Sequence, residues 1–141
     1  MSANIKILEI SQICFKVRDA IEKVKRGSFL LKEFPLGCCR DATLILSMVL
    51  LEYGFKDTIY CSKDLDDEIP SHAWLEYKEY ILDLTADQFG SFYSPVITMK
   101  YILPATIHRR DNIQQPDWNI AGIDAPELIV DYNKILDLVM N

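Results

Sequence analysis

Apolar residues at Ile10, Ile13, Val17, Ile21 and Val24 recur in steps of three and four. That period places them on one stripe of a helix, predicted to run from about Ile5 to Arg26. Gly27-Ser28 is a fitting stop. Phe29-Leu30-Leu31 is a short apolar run expected to pack under a loop. From Cys39 to about Tyr53 the chain is apolar nearly all round, which predicts a buried central helix, with Gly54 suited to its end. The period then shortens to two. Thr58 to Ser62 reads as a short strand, and Ser71–Tyr77 and Tyr80–Phe89 read as two alternating strands. Val96 to Ile102 adds another, and residues 104–123 read as irregular, with Pro104, Pro116 and Gly122. A last helix is predicted from Asp124, where Asp124 and Glu127 have capping-box spacing. It should bury Leu128, Ile129, Tyr132, Ile135, Leu136 and Val139.

The order helix, helix, strands, helix predicts an α+β fold with a small antiparallel sheet packed against the central buried helix. A length of 141 residues and 50% hydrophobic content suit a single domain over residues 1–141, with a core that needs no disulfides. A net charge of −6 argues against a nucleic-acid partner, because phosphates want a basic face. The basic group Lys23, Lys25 and Arg26 reads as a solvated helix end. No charged segment followed by an apolar one opens the chain, and no apolar run reaches the ~20 residues of a membrane span. The expectation is a cytoplasmic protein without a membrane partner. The run Lys63 to Glu68 reads as a solvated acidic loop that would bias the neighbouring surface toward basic partners.

Four cysteines, Cys14, Cys38, Cys39 and Cys61, should be thiols in a reducing compartment. There is no Cys-x-x-Cys pair, so a zinc site from Cys39, Cys61 and His72 has little behind it. Cys14 and Cys61 read as small buried hydrophobes. Cys38 and Cys39 sit where a Pro35-Leu36-Gly37 turn enters the central helix. A helix start offers unpaired N–H groups and the positive end of the dipole, and both favour thiolate over thiol. A nucleophilic thiol also wants a base. Of the two histidines, His108 lies in the basic, irregular stretch "ATIHRRD", where a solvated loop is expected. His72 lies on a predicted strand, sharing one face with Trp74 and Glu76.

A hairpin turning at Lys78-Glu79 pairs residues whose numbers sum to 157, since 77 + 80 = 157. His72 then has Asp83 and Asp87 as its diagonal carboxylates on the same face. Parity does not separate them; Asp83 is favoured because it lies inside the paired region. Lys-Glu is a poor two-residue turn, and a slip of one residue would flip Asp83 to the far face.

Gly37-Cys38-Cys39 at a helix start, then His-Ala-Trp-Leu-Glu from 72 to 76, then Leu-Asp-Leu-Thr from 82 to 85, resembles the transglutaminase-like branch of the papain-like cysteine enzymes. The resemblance spans Phe34 to Phe89 and departs in its Cys-Cys doublet. It implies a papain-like/transglutaminase-like fold with Cys39 as nucleophile, His72 as base and Asp83 as orienting carboxylate. The implied function is thiol-dependent acyl transfer on a peptide bond or glutamine carboxamide, as protease, deamidase or transglutaminase. The expected partner is a protein or peptide substrate, with no metal or organic cofactor. The backbone N–H of Cys39 would help hold an oxyanion, and a second donor is not identified by the sequence. The competing expectation is a catalytically silent protein-binding module of the same fold.

Overall fold

Both periodicities emerge in the computed structural model, which describes residues 3–67, 70–91, 93–100 and 106–141. The helical stripe of α1 (Ala3–Val24) turns Ile10, Ile13, Val17 and Ile21 into the core, each at most 2% exposed. A 3-10 turn over Lys25–Gly27 closes it. Of the run that follows, Leu31 is buried as expected, but Phe29 stands exposed with Lys32 over its ring. The central helix α2 (Cys39–Glu52) buries Ala42, Leu44, Ile45, Leu46, Val49 and Leu50. Its near-uniform apolarity is explained by its place, in one core cluster with residues of α1, of the sheet and of the last helix, α3 (Ala125–Met140).

The sheet has five antiparallel strands in the order β4-β3-β2-β1-β5. They are β1 (Thr58–Lys63), β2 (His72–Tyr77), β3 (Tyr80–Asp83), β4 (Ile97–Lys100) and β5 (Asn112–Gln114). Ala73, Leu75 and Tyr77 of β2 join the helical core, whereas Trp74 packs with Cys61 and Ile81 in a separate cluster on the opposite face. The β2–β3 register is Leu75↔Leu82, Glu76↔Ile81 and Tyr77↔Tyr80, the pairing predicted from the hairpin centre. The unpromising Lys78-Glu79 turn closes because Lys78 takes a left-handed φ of 53°.

Several boundaries differ from the sequence expectation. The strand predicted to Phe89 ends at Asp83, because Asp83 Oδ1 accepts the Thr85 N–H at 2.9 Å and turns the chain into a 3-10 segment over Ala86–Phe89. The strand expected from Val96 to Ile102 is present over Ile97–Lys100, and its expected end at Ile102 falls in residues 101–105, which lie outside the described residues. The stretch read as irregular contains β5, whose side chains are all exposed and which owes its pairing to β1 instead of to burial. The capping box at Asp124 does not form. A 3-10 segment over Trp118–Asp124 leads into α3, Asp124 is already in a helical conformation, and its carboxylate accepts a bond from Arg40 Nη2 at 2.9 Å. No helix among the described residues is long and apolar enough to cross a membrane.

Candidate active site

Gly37 begins the site. Its φ of +68° lets the chain turn sharply, so that Cys38 becomes the N-cap of α2 and Cys39 its first residue. Geometry distinguishes the two thiols of the doublet. Cys38 is 2% exposed and points its Sγ at the carbonyls of Leu36 (3.3 Å) and Leu30 (3.5 Å). Burial, then the nearby Asp41 charge, pushes its thiol up to about 11. Burial likewise pushes Cys14 and Cys61 up to about 12. Cys39 is half-buried and lines a pocket of about 190 Å³ together with His72, Tyr60, Ser62 and Ser71.

His72 opens β2 and is 1% exposed. Its Nε2 lies 2.7 Å from Asp83 Oδ2, so of the two carboxylates that parity allowed, Asp83 meets the ring. Asp87 is taken up elsewhere, by Arg18 of α1. Burial alone would lower the His72 pKa, but hydrogen bonding and charge from Asp83, with a further contribution from the Cys39 thiol, raise it to about 9. Burial works against the Asp83 charge too, yet bonds from His108 and His72 prevail and hold the carboxyl well below its usual range. An ionised Asp83 accepts only, so His72 keeps a proton on Nε2, and in the neutral form of the ring Nδ1 carries the lone pair. That Nδ1 is buried and has no hydrogen-bond partner. Cys39 acts on the ring through hydrogen bonding as well as charge, although no bond of good geometry joins it to Nδ1. Among the described residues, one other buried side-chain atom is equally unpartnered, Nε2 of Gln88. The Gln88 Oε1 accepts the Gly37 N–H at 3.3 Å, which holds this amide beside the turn that leads into Cys39.

His108 was read from the sequence as part of a solvated loop, and this is corrected. It is 3% exposed, on a 3-10 turn over Thr106–His108, and its Nε2 lies 2.7 Å from the same Asp83 Oδ2. Charge on the flanking Arg109 and Arg110 hid it. Those two guanidiniums point elsewhere: Arg109 to Asp66 and Asp111, Arg110 to Glu76. The acidic loop is also less free than expected. Asp66 accepts from Lys63 at 2.9 Å and from Arg109 at 3.1 Å, and Asp64 accepts from Asn112 at 2.8 Å, so much of its charge is answered within the chain. Glu68 lies outside the described residues.

Trp74 packs against both imidazoles. Its ring is stacked with His72 at 5.8 Å and edge-on to His108 at 5.1 Å, and Phe89 meets His72 edge-on at 4.8 Å. The Trp74 Nε1–H donates to Glu76 Oε2 at 2.9 Å, which satisfies its one polar atom.

The zinc combination of Cys39, Cys61 and His72, which had little behind it, is not assembled among the described residues, and Cys61 packs with Trp74 and Ile81. A different trio, His72, Asp83 and His108, brings three ligand atoms within 4.8 Å of one another. Tetrahedral zinc with bonds of about 2.0–2.1 Å would hold its ligand atoms roughly 3.4 Å apart. Both nitrogens instead stand at 2.7 Å from one oxygen, which is hydrogen-bond spacing. The cluster is closed by protons, and a metal would have to open it. No protein-family model, curated protein or solved structure matches the chain.

Proposed function

We propose that the protein carries out thiol-dependent acyl transfer on a carboxamide, either a peptide bond or a glutamine side chain, within a papain-like/transglutaminase-like fold. One observation supports this above the others. His72 is anchored through Nε2 to Asp83, and its remaining nitrogen is unpartnered beside a half-buried thiol at a helix start. Buried polar atoms without partners are rare, and one placed next to a thiol suits a proton acceptor.

In this reading the Cys39 proton passes first to His72 Nδ1, and the thiolate, paired with the charged ring, attacks the carboxamide carbon. The C–S bond forms, the C–N bond breaks, and Nδ1 returns the proton to the departing amine. Water or a second amine then takes the acyl group from sulfur. Asp83 keeps the ring in the Nε2–H tautomer and supports its charged form. The oxyanion is held by the Cys39 backbone N–H, one of the unpaired amides at the start of α2, and by the unpartnered amide of Gln88.

Iodoacetamide labelling of the intact protein at neutral pH tests the thiol. Modification of Cys39 faster than a free thiol, slowed in His72→Ala, is the expected result. Labelling no faster than free cysteine would leave a binding module. Comparing proteomes treated with the wild type and with Cys39→Ala then separates the outcomes by mass spectrometry. New termini mean protease, Gln-to-Glu changes deamidase, and isopeptide cross-links transglutaminase.

A further inference from the structure

We propose that His108 is a second positioning residue of this site, sharing the Asp83 carboxylate with His72 and so limiting how strongly that carboxylate supports the charged ring, and with it how firmly His72 Nδ1 holds the proton the reaction must pass on. This rests on the thiol-transfer reading above.

The geometry is the starting point. Two imidazole Nε2 atoms approach one carboxylate oxygen, each at 2.7 Å, and the other oxygen takes the Thr85 N–H at 2.9 Å. Both Nε2 atoms must donate to an acceptor-only carboxylate. His108 is no accidental neighbour. Two residues on, Arg110 binds Glu76 through Nε at 3.0 Å and Nη2 at 2.9 Å, and the Asp111 N–H bonds the Ser62 carbonyl at 2.9 Å. These contacts fasten the segment carrying His108 to β2 and β1.

The physical consequence concerns the sharing of charge. Each donor that a buried carboxylate accepts stabilises its ionised form and lowers the proton affinity of its partners. With His108 in place, Asp83 is answered partly from another side and leans less on His72. Without it, Asp83 would support the charged ring more strongly, and His72 Nδ1 would bind its proton more tightly. A proton held too tightly is returned slowly to the leaving amine, because general acid–base efficiency is best when the group's affinity matches the working pH.

Asp83 from β3 and Cys39 from α2 act on the ring directly. Lys63, its register partner on β1, directs its ammonium to Asp66 and to the Asp64 carbonyl. Arg40 of α2 is paired with Asp41 and Asp124. Trp74 and Phe89 contribute rings.

The test exploits the presence of only 2 histidines in the chain. The His72 ring is titrated by NMR in the intact protein carrying 13C-labelled histidine. His108→Phe keeps a ring and removes the donor. His108→Gln puts an amide N–H at the same reach. The Phe variant should raise the titration midpoint by about one pH unit, and the Gln variant should return it to within about 0.3 of the wild type. An unchanged or lowered midpoint in the Phe variant would overturn the proposal, as would equal shifts in Phe and Gln. Should the Phe variant not fold, His108→Asn takes its place: its amide is too short to reach, so it must shift the midpoint upward where Gln does not. The two readings fail separately. Slow labelling of wild-type Cys39 sinks the acyl-transfer function, whereas the histidine titration judges the coupling alone.

Discussion

Arg18 grips Asp87 with both ends of its guanidinium, Nη1 to Oδ1 at 2.9 Å and Nη2 to Oδ2 at 2.8 Å. Nη1 also donates to the carbonyls of Leu84 at 2.6 Å and Pro95 at 3.1 Å. One side chain of α1 therefore fastens the turn that follows Asp83. Replacing Arg18 by Ala should lower stability by roughly 2–3 kcal/mol, since it strands a half-buried carboxylate and two carbonyls. Lysine should recover only part, lacking the planar fork. Urea unfolding measures this, and an Ala variant with the wild-type midpoint would show that the clamp contributes nothing.

The four thiols should separate cleanly in a labelling time course. Cys38 at about 11 and Cys14 and Cys61 at about 12 are almost wholly protonated at neutral pH, and all three are buried. At pH 7 the Cys38 thiolate fraction is about 10⁻⁴. Peptide mapping after brief iodoacetamide treatment should find the label on Cys39, and Cys38→Ala should leave its rate unchanged. A dominant label on Cys38 would move the nucleophile by one residue.

Asp83→Asn should act through the tautomer. The new amide can offer an N–H2 where the carboxylate offered only acceptors. His72 Nε2 would then accept, its proton would move to Nδ1, and the nitrogen facing the thiol side would lose its lone pair. Alkylation of Cys39 at pH 7 should fall at least about tenfold. Stability should fall too, by roughly 3 kcal/mol, because two buried imidazoles lose a charged partner. A variant that labels at the wild-type rate would rule out Asp83 as the orienting group.

Gln88→Ala separates oxyanion binding from thiol activation. Alkylation by iodoacetamide builds no oxyanion, so its rate at Cys39 should not change. A peptide aldehyde adds to the thiol and leaves an oxygen where the oxyanion would sit. Its affinity should fall by about 10²-fold, the scale of losing one such donor. Equal losses in both assays would make Gln88 a structural support of the Gly37 turn.

Stability should also carry the signature of the histidine–aspartate pair. Folding raises the His72 pKa from 6.5 to about 9, so its contribution is complete below pH 6.5 and disappears as the pH climbs through 9. Asp83 runs the other way: its pKa is lowered from 3.8, so its contribution is present above pH 3.8 and fades as the pH falls below that. Both are full between about pH 4 and 6.5. From pH 6.5 to above 9 the wild type should lose roughly 3 kcal/mol. His72→Phe should not show this loss, and denaturant midpoints across pH would reveal a parallel decline if the assignment were wrong.

What the residues declare by themselves is local. A stripe at steps of three and four specifies α1, an all-round apolar run specifies the central α2, and alternation about a two-residue turn specifies a register that puts His72 and Asp83 on one face. These patterns are legible because each depends on neighbours a few positions apart. Tertiary structure decided the rest. It separated Asp83 from Asp87 by bringing Arg18 to the latter across 69 positions, and it set the adjacent thiols apart by burying Cys38. It brought His108 to Asp83 from 25 positions away, out of a stretch whose own charges announce a surface loop. No period or spacing encodes such meetings. They depend on which buried acceptor is left over once the strands have paired, and that becomes defined only when the whole chain has packed.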